Sequence, residues 1–177
     1  MPADDLPVEP DDLTDAPHDS APKAVRERRE SEQLITDWGR ETRRLGHSLA
    51  VMTLDASAMT GPKWAHRFII AVGPIVKDWS FLFYGARFAS LMELPEPADR
   101  SVPMVAQLPE RYVPVFTNGG IASTLSRIAV RMHGAVERED GGREFFRAAF
   151  IRLRLDANRQ QHFALGAFNC RLAEKQA

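Results

Sequence analysis

Five histidines, one cysteine and a few clustered carboxylates are the side chains of this 177-residue chain that could carry chemistry, and their spacing decides whether they do. Cys170 stands alone, so neither an internal disulfide framework nor a thiolate zinc site can be assembled. His18, His47, His66, His133 and His162 show no metal-ligand spacing. His133, beside Gly134 in an alternating segment, reads as a satisfied or surface histidine. No Gly-x-Ser-x-Gly elbow offers a nucleophile with a base and an orienting acid. Gly119-Gly120 lacks the rest of either phosphate-binding pattern. Glu137, Glu139 and Asp140 fall at a strand end and turn, where solvated carboxylates belong. The chain reads as non-enzymatic.

What remains is apolar. Phe81, Phe83, Phe116, Met132, Phe146 and Phe150 are placed to line a cavity between a sheet and its helices. Tyr84, Tyr112 or Asn169 would be its polar anchors. The competing reading is a fully packed aromatic core. A second constellation is the stripe Leu34, Ile35, Trp38 and Leu45, whose spacings of three, four and seven put one apolar face on a helix. Such a face either docks on the main domain or pairs with its counterpart in a homodimer.

The elements that must position these residues follow from the same patterning. Residues 1–21, rich in Pro, Asp and Ala, cannot bury enough surface to offset ordering entropy and are expected to form a disordered acidic tail. Residues 22–63 hold the amphipathic helix, to about Arg44, and a connecting segment. Arg67–Val72 and Trp79–Tyr84 read as strands, with Asp78 in a link that permits a hairpin. Ala86–Leu94 is a helix with Phe88, Leu91 and Met92 on one face. Prolines at 95, 97, 103 and 109 then confine the chain to loop and short helical turns. Val115, Phe116, Ile121, Leu125 and Ile128 form a helical stripe weakened by Gly119-Gly120, with a kink or restart at Pro114.

The last third alternates with period two. Val130, Met132, Gly134 and Val136 oppose Arg131, His133, Ala135 and Glu137. Asp140-Gly141-Gly142 is a hairpin turn, because glycine accepts the positive φ such turns need. Arg143–Asp156 follows, with Phe146, Ala148 and Phe150 opposite Arg147, Ala149, Ile151 and Leu153. After a connection at Ala157–Gln161, His162–Leu172 forms the last strand. This order predicts an α+β domain over 64–173, a five-stranded antiparallel sheet capped on one face by short helices, with a C-terminal tail at 174–177.

Composition sets the outer limits. Hydrophobic residues make up 44% and charged residues 27%, as in soluble globular domains. The net charge of −1 hides an uneven layout. Asp4, Asp5, Glu9, Asp11, Asp12, Asp15 and Asp19 give the first 22 residues a charge of −7 with no Lys or Arg. The rest carries +6, from 23 basic and 17 acidic residues. That basic excess is dispersed and comes without aromatic or helical readers, so no nucleic-acid partner is expected. The longest apolar run, Phe68–Val76, is interrupted by Gly73 and Pro74 and falls short of the roughly 20 residues a membrane span needs. With no apolar secretory segment at the acidic N-terminus, a cytoplasmic protein is expected.

The element order, with Phe83-Tyr84-Gly85-Ala86-Arg87-Phe88 before a helix, then Leu108-Pro109-Glu110-Arg111-Tyr112, resembles the PAS fold. Val130–Val136, Glu144–Phe150 and Gly166–Arg171 extend the likeness to the short bacterial single-domain PAS proteins over roughly 64–173. The preceding helix resembles the N-terminal cap of such domains. The resemblance implies a sensory or adaptor role in bacterial signal transduction, through contacts with a sensor kinase or regulator and with room for a small apolar ligand. It implies neither flavin nor haem here. Asn169-Cys170-Arg171 matches the letters of the flavin-binding light sensors, whose reactive Cys sits on a central helix, yet Cys170 lies on the last strand. Haem-binding members present a His from the central helices, and residues 85–128 contain none. The alternatives are a small-molecule-binding domain whose ligand repositions the N-terminal helix and, last, an enzyme on an α+β scaffold.

Overall fold

A computed structural model describes residues 23–45, 59, 61–154 and 162–173, without the side chains of 23–29, 44, 45 and 154. The expected tails at 1–21 and 174–177, the segment 46–58, the connection at Ala157–Gln161 and the Leu45 side chain lie outside the described residues.

Helix α1 (Lys23–Leu45) precedes the sheet. Strand β1 (Arg67–Val72) turns through a 3-10 turn at Val76–Asp78 into β2 (Ser80–Tyr84). Three helices follow, α2 (Ala86–Met92), α3 (Met104–Gln107) and α4 (Val113–Leu125). The chain closes with β3 (Val130–Glu137), β4 (Arg143–Arg154) and β5 (His162–Leu172). All strand pairs are antiparallel in the order β2-β1-β5-β4-β3, so the early hairpin and the late meander join into one sheet. The seam is β1 on β5, paired from Arg67↔Ala167 to Val72↔His162. This is the α+β arrangement that the element order predicts, one five-stranded antiparallel sheet with short helices over one face.

Alternation along the strands supplies two apolar faces. The inner face, under α2, α3 and α4, collects Phe68, Ile70, Phe81, Ala148, Phe150, Ala164 and Phe168. The outer face collects Ile69, Ala149, Ile151, Leu153, Phe163, Leu165 and Ala167, and α1 packs on it through Leu34, Ile35 and Trp38. The meander faces follow the period-two reading, including the turn. Gly141 has φ +75, and the Asp140 carboxylate accepts from the Gly142 N–H at 2.9 Å.

Two readings are corrected. The helical stripe ending in Ile121, Leu125 and Ile128 does not face the core; all three are exposed. The buried face of α4 is Val115, Phe116, Gly119, Gly120 and Ser123. A Cβ on Gly119 would come within 2.2 Å of the Phe150 ring, and one on Gly120 within 2.4 Å of Trp79. The glycines are the contact surface, because a helix this close to large rings has no room for side chains. The Ser123 hydroxyl satisfies itself by donating to the Gly120 carbonyl at 2.7 Å. At Pro114 the chain restarts as an α-helix, as the proline implies. A 3-10 turn at Glu110–Tyr112 runs into α4, with the proline in its first turn, where no N–H is missed.

The second correction concerns β2. Phe81 and Phe83 are two apart and would share a face in a regular strand. The pairing slips, with Ile69 opposite Phe83 and Ile70 opposite Phe81, so Leu82 is an extra residue. This bulge sends Phe83 to the outer face, where its ring meets Trp64 edge-on at 5.5 Å.

Candidate functional site

The expected pocket residues divide between the two faces. Phe81, Tyr84, Tyr112, Phe116, Phe146 and Phe150 are all buried on the inner side, with Met132 at its margin. Phe83 and Asn169 are not with them. Asn169 follows Phe163, Leu165 and Ala167 on the outward alternation of β5.

The inner set is close-packed. Phe68 touches the rings of Phe88, Phe116 and Phe150 at centroid separations of 4.9, 5.1 and 5.5 Å, and Phe116 lies 5.4 Å from Phe168. Such offset and edge-on pairs add attraction beyond area burial and leave little room between rings. A Cβ on Gly166 would meet the Phe68 ring at 2.1 Å. The polar anchors are already engaged or sealed. The Tyr84 hydroxyl donates to the Pro95 carbonyl at 2.5 Å, tying the proline-rich segment to the sheet. Burial, then the nearby Glu96 and Asp99 carboxylates, pushes its pKa up. The Trp79 indole donates to the Gly73 carbonyl at 2.8 Å.

One corner of this face is polar. Arg111 reaches the buried Glu144 at 3.4 Å and lies over the Tyr112 ring at 5.0 Å. Cys170 and Tyr112 complete the group. The Tyr112 hydroxyl is buried beside Cys170 and Glu144, and burial, then those two groups, raises its pKa. Burial, then the Glu144 carboxylate, pushes the Cys170 thiol up to about 12. A thiol held this far from its thiolate is a poor nucleophile. Among the described residues no three His, Cys, Asp or Glu side chains are grouped so as to hold a metal ion, and no helix is long and apolar enough to cross a membrane.

The outer face is divided by α1, which crosses the strands. The register aligns Arg131, Ala149, Ala167 and Arg67 in one row across β3, β4, β5 and β1. The alanines let the helix approach, and the arginines at the ends of the row hold it. Arg131 takes both carboxylate oxygens of Glu32 at 3.0 and 3.2 Å, and Arg67 takes Asp37 at 2.7 Å. The two clamps differ in setting. Arg67 and Asp37 side chains are 7% and 23% exposed, against 53% and 49% for Arg131 and Glu32. Leu34, at 1%, is sealed between them.

On one side of this row lies the apolar patch that α1 covers. On the other, the next two rows are open: His133, Arg147 and Asn169, then Ala135, Phe145 and Arg171. They line a groove of about 320 Å³. Phe145 remains 42% exposed, with the Arg171 guanidinium over its ring at 5.9 Å. The Asn169 side-chain oxygen accepts from the Cys170 N–H at 2.9 Å. The exposed ring flanked by guanidinium groups leaves apolar and cationic surface side by side in solvent. Of the residues lining it, Phe146 and Asn169 stood among the expected site residues. The signal for the others was an outward phenylalanine on β4, but its alignment with Arg171 requires the register of β4 on β5.

No family model matches the chain, and no curated protein does. Among solved structures it is similar to the PAS domain of a protein from Colwellia psychrerythraea, with 12% identity over 64% of this chain and 91% of that one, at a TM-score of 0.43. It is also similar to the PAS domain of an HTR-like protein from Haloarcula marismortui, with 12% identity over 79% and 99% at 0.37. A light-oxygen-voltage domain studied with a flavin analogue matches at 16% over 68% and 87%, at 0.42. These are likenesses of fold. What the chain does has to be argued from its own residues.

Proposed function

We propose that this chain is a non-enzymatic PAS-like adaptor domain of signal transduction, acting by protein–protein contact. The observation that carries the reading is the groove on the outer face, where Phe145 stays exposed between Arg147 and Arg171. The inner face supports it from the other side: its aromatic rings fill the space a ligand would need, and its one thiol is held protonated. The partner is a signalling protein, such as a sensor kinase or regulator, that presents an acidic and partly apolar segment to the groove. Helix α1 borders that groove, so contact there is coupled to the position of the helix.

Photo-crosslinking tests this directly. A photoreactive amino acid replaces Phe145 in the full chain, in its own cells, with Lys77 as the control position. The expected result is adducts with a kinase or regulator from position 145 that disappear with Arg147→Glu. Identical adduct patterns from both positions, or none from 145, would overturn the proposal.

A further inference from the structure

We infer that strand β3 pairs edge to edge with β3 of a second copy of this chain, antiparallel about Gly134, so that two five-stranded sheets become one. The inference goes beyond the adaptor reading and does not rest on it. The two edges of the sheet are built differently. Strand β2 is five residues long and carries the bulge at Leu82. It is covered where it starts, because the Met104 N–H donates to the Trp79 carbonyl at 2.7 Å. Strand β3 is eight residues long, pairs with β4 without a slip, and contains no Pro or Lys. Soluble proteins ordinarily avoid a long, regular edge of this kind unless something pairs with it. The Arg138 N–H donates to the Gly142 carbonyl at 2.8 Å, and the ladder alternates back from there. The N–H and C=O groups of Arg131, His133, Ala135 and Glu137 therefore point away from β4, and no described residue bonds them.

The occupant is read from the strand itself, because β3 complements its own reverse. Arg131 and Glu137 stand at equal distances either side of Gly134 on the outer face. Antiparallel pairing about Gly134 sets Arg131 opposite the second copy's Glu137, His133 opposite its Ala135 and Met132 opposite its Val136. This register engages every outward-pointing residue of both strands, in about eight hydrogen bonds. Arg131 already holds Glu32 through Nε and Nη2, and Glu137 lies opposite Arg143. The new contact therefore extends an alternating line of charges and needs no free one. On the inner face Val130 and Met132 are half-buried, whereas Phe150 and Ala148 opposite them on β4 are buried, so a further strand completes both rows. Helix α1 fits the same arrangement. From Asp37 at Arg67 to Glu32 at Arg131 it travels towards the β3 edge, and the nine helical residues before Glu32 continue about 14 Å in that direction. The second copy supplies the sheet beneath them. Its own α1 crosses about 20 Å away along the strand, more than a helix diameter, so the two do not collide. Between the helices the grooves join, with Asn169, Arg147 and His133 running on into the second copy's Ala135, Phe145 and Arg171.

Sedimentation of the full chain between about 2 and about 500 µM reads the association, since so short an interface implies a Kd in the micromolar range. The mass is expected to rise from one chain to two and no further, because a two-fold pairing leaves only the bulged β2 edges open. Ala135→Pro removes an outward N–H that the single chain does not use, and should raise the Kd at least ~10-fold. Cysteine pairing then reads the register, with Cys170→Ala carried throughout so that only the new thiols react. Under mild oxidation, an equal mixture of His133→Cys and Ala135→Cys chains should crosslink at least ~5-fold faster than either alone. The two positions face each other at about 5.5 Å between Cα atoms, whereas each lies about 9 Å from its own counterpart, beyond disulfide reach. A single chain at every concentration would overturn the pairing, and so would association unchanged by Ala135→Pro, which would put the contact elsewhere. Faster crosslinking in His133→Cys or in Ala135→Cys alone would overturn the register about Gly134. A monomer that still gives adducts from position 145 overturns the pairing and leaves the adaptor reading standing.

Discussion

The two faces of one sheet use the same residue types to opposite ends. On the inner face, rings of Phe68, Phe81, Phe88, Phe116, Phe150 and Phe168 close on one another, Phe150 and Trp79 close on the two helix glycines, and the ionisable groups gather at the Arg111–Glu144 corner. On the outer face, alanines seat a helix held by an ion pair at each end, and two rows further along a phenylalanine is left in solvent between arginines. An aromatic side chain therefore does not by itself mark a ligand pocket. What matters is whether its neighbours in space fill the gap or leave it open. Here the stable core and the candidate contact surface are separated by the thickness of a single strand layer.

If the inner face is packed for stability, truncating a ring there should cost most. Phe116→Ala removes a fully buried side chain in contact with Phe68, Phe88, Phe150 and Phe168. A loss of about 3–5 kcal/mol is expected from lost burial and the cavity left behind. Urea denaturation followed by tryptophan fluorescence reads it as a lower midpoint at unchanged slope. A change below about 1 kcal/mol would mean that the inner face has slack to spare, and the ligand-pocket reading would regain ground.

The outer face allows a comparison within itself, between its two clamps. Asp37→Ala leaves the Arg67 guanidinium, 7% exposed, without its carboxylate. An orphaned buried cation is expected to cost about 1–3 kcal/mol, less than the value for a fully sealed pair because Asp37 still meets solvent. Glu32→Ala breaks a pair that is half in water on both sides, and should cost below about 1 kcal/mol. Thermal melts of the two variants decide it. Equal losses would show that burial does not distinguish the clamps.

Cys170 offers a handle on the polar corner of the inner face. Its folded pKa, raised from 9.0 to about 12, disfavours the thiolate in the folded state only. The stabilisation is therefore fully present below the unfolded value near 9 and is lost as the pH rises towards 12, since the unfolded chain ionises first. Stability of the native protein should fall more steeply above pH 9 than that of Cys170→Ala, and parallel pH profiles would refute the burial argument. At pH 8 the native thiol should also react with a disulfide reagent at least ~10-fold more slowly than in denaturant.

Legibility in the sequence followed the regularity of the backbone. The meander could be read residue by residue, because long antiparallel strands repeat every two residues and one turn carries its own glycine signature. Its outward row at Arg131, His133 and Ala135 was visible too. Phe83 was misplaced because the bulge at Leu82 is a property of two strands paired, not of either alone. Helix α4 was misread for a related reason: hydrophobic periodicity scores side chains, whereas Gly119 and Gly120 pack by having none. Phe145, Arg147 and Arg171 come together only through the pairing of β4 with β5, and no local pattern announces that register. Leu34, Ile35 and Trp38 are visible in the sequence as one helix stripe, and in the structure they pack on the outer sheet face. Their seat on the chain's own sheet depends on alanines more than a hundred residues away.

The smallest effect belongs to the residue on which the contact surface turns. Phe145→Ser should change stability by no more than about 0.5 kcal/mol, since its ring is 42% exposed and contributes to neither apolar cluster. The same substitution should abolish crosslinking to the signalling partner from a photoreactive group placed opposite it at Ala135. A residue that costs nothing to the fold and everything to a contact is what separates a binding surface from an ordinary exposed phenylalanine. A large loss of stability would instead mean that the Arg171–Phe145 stack is part of the framework. The groove would then be a by-product of where α1 happens to stop.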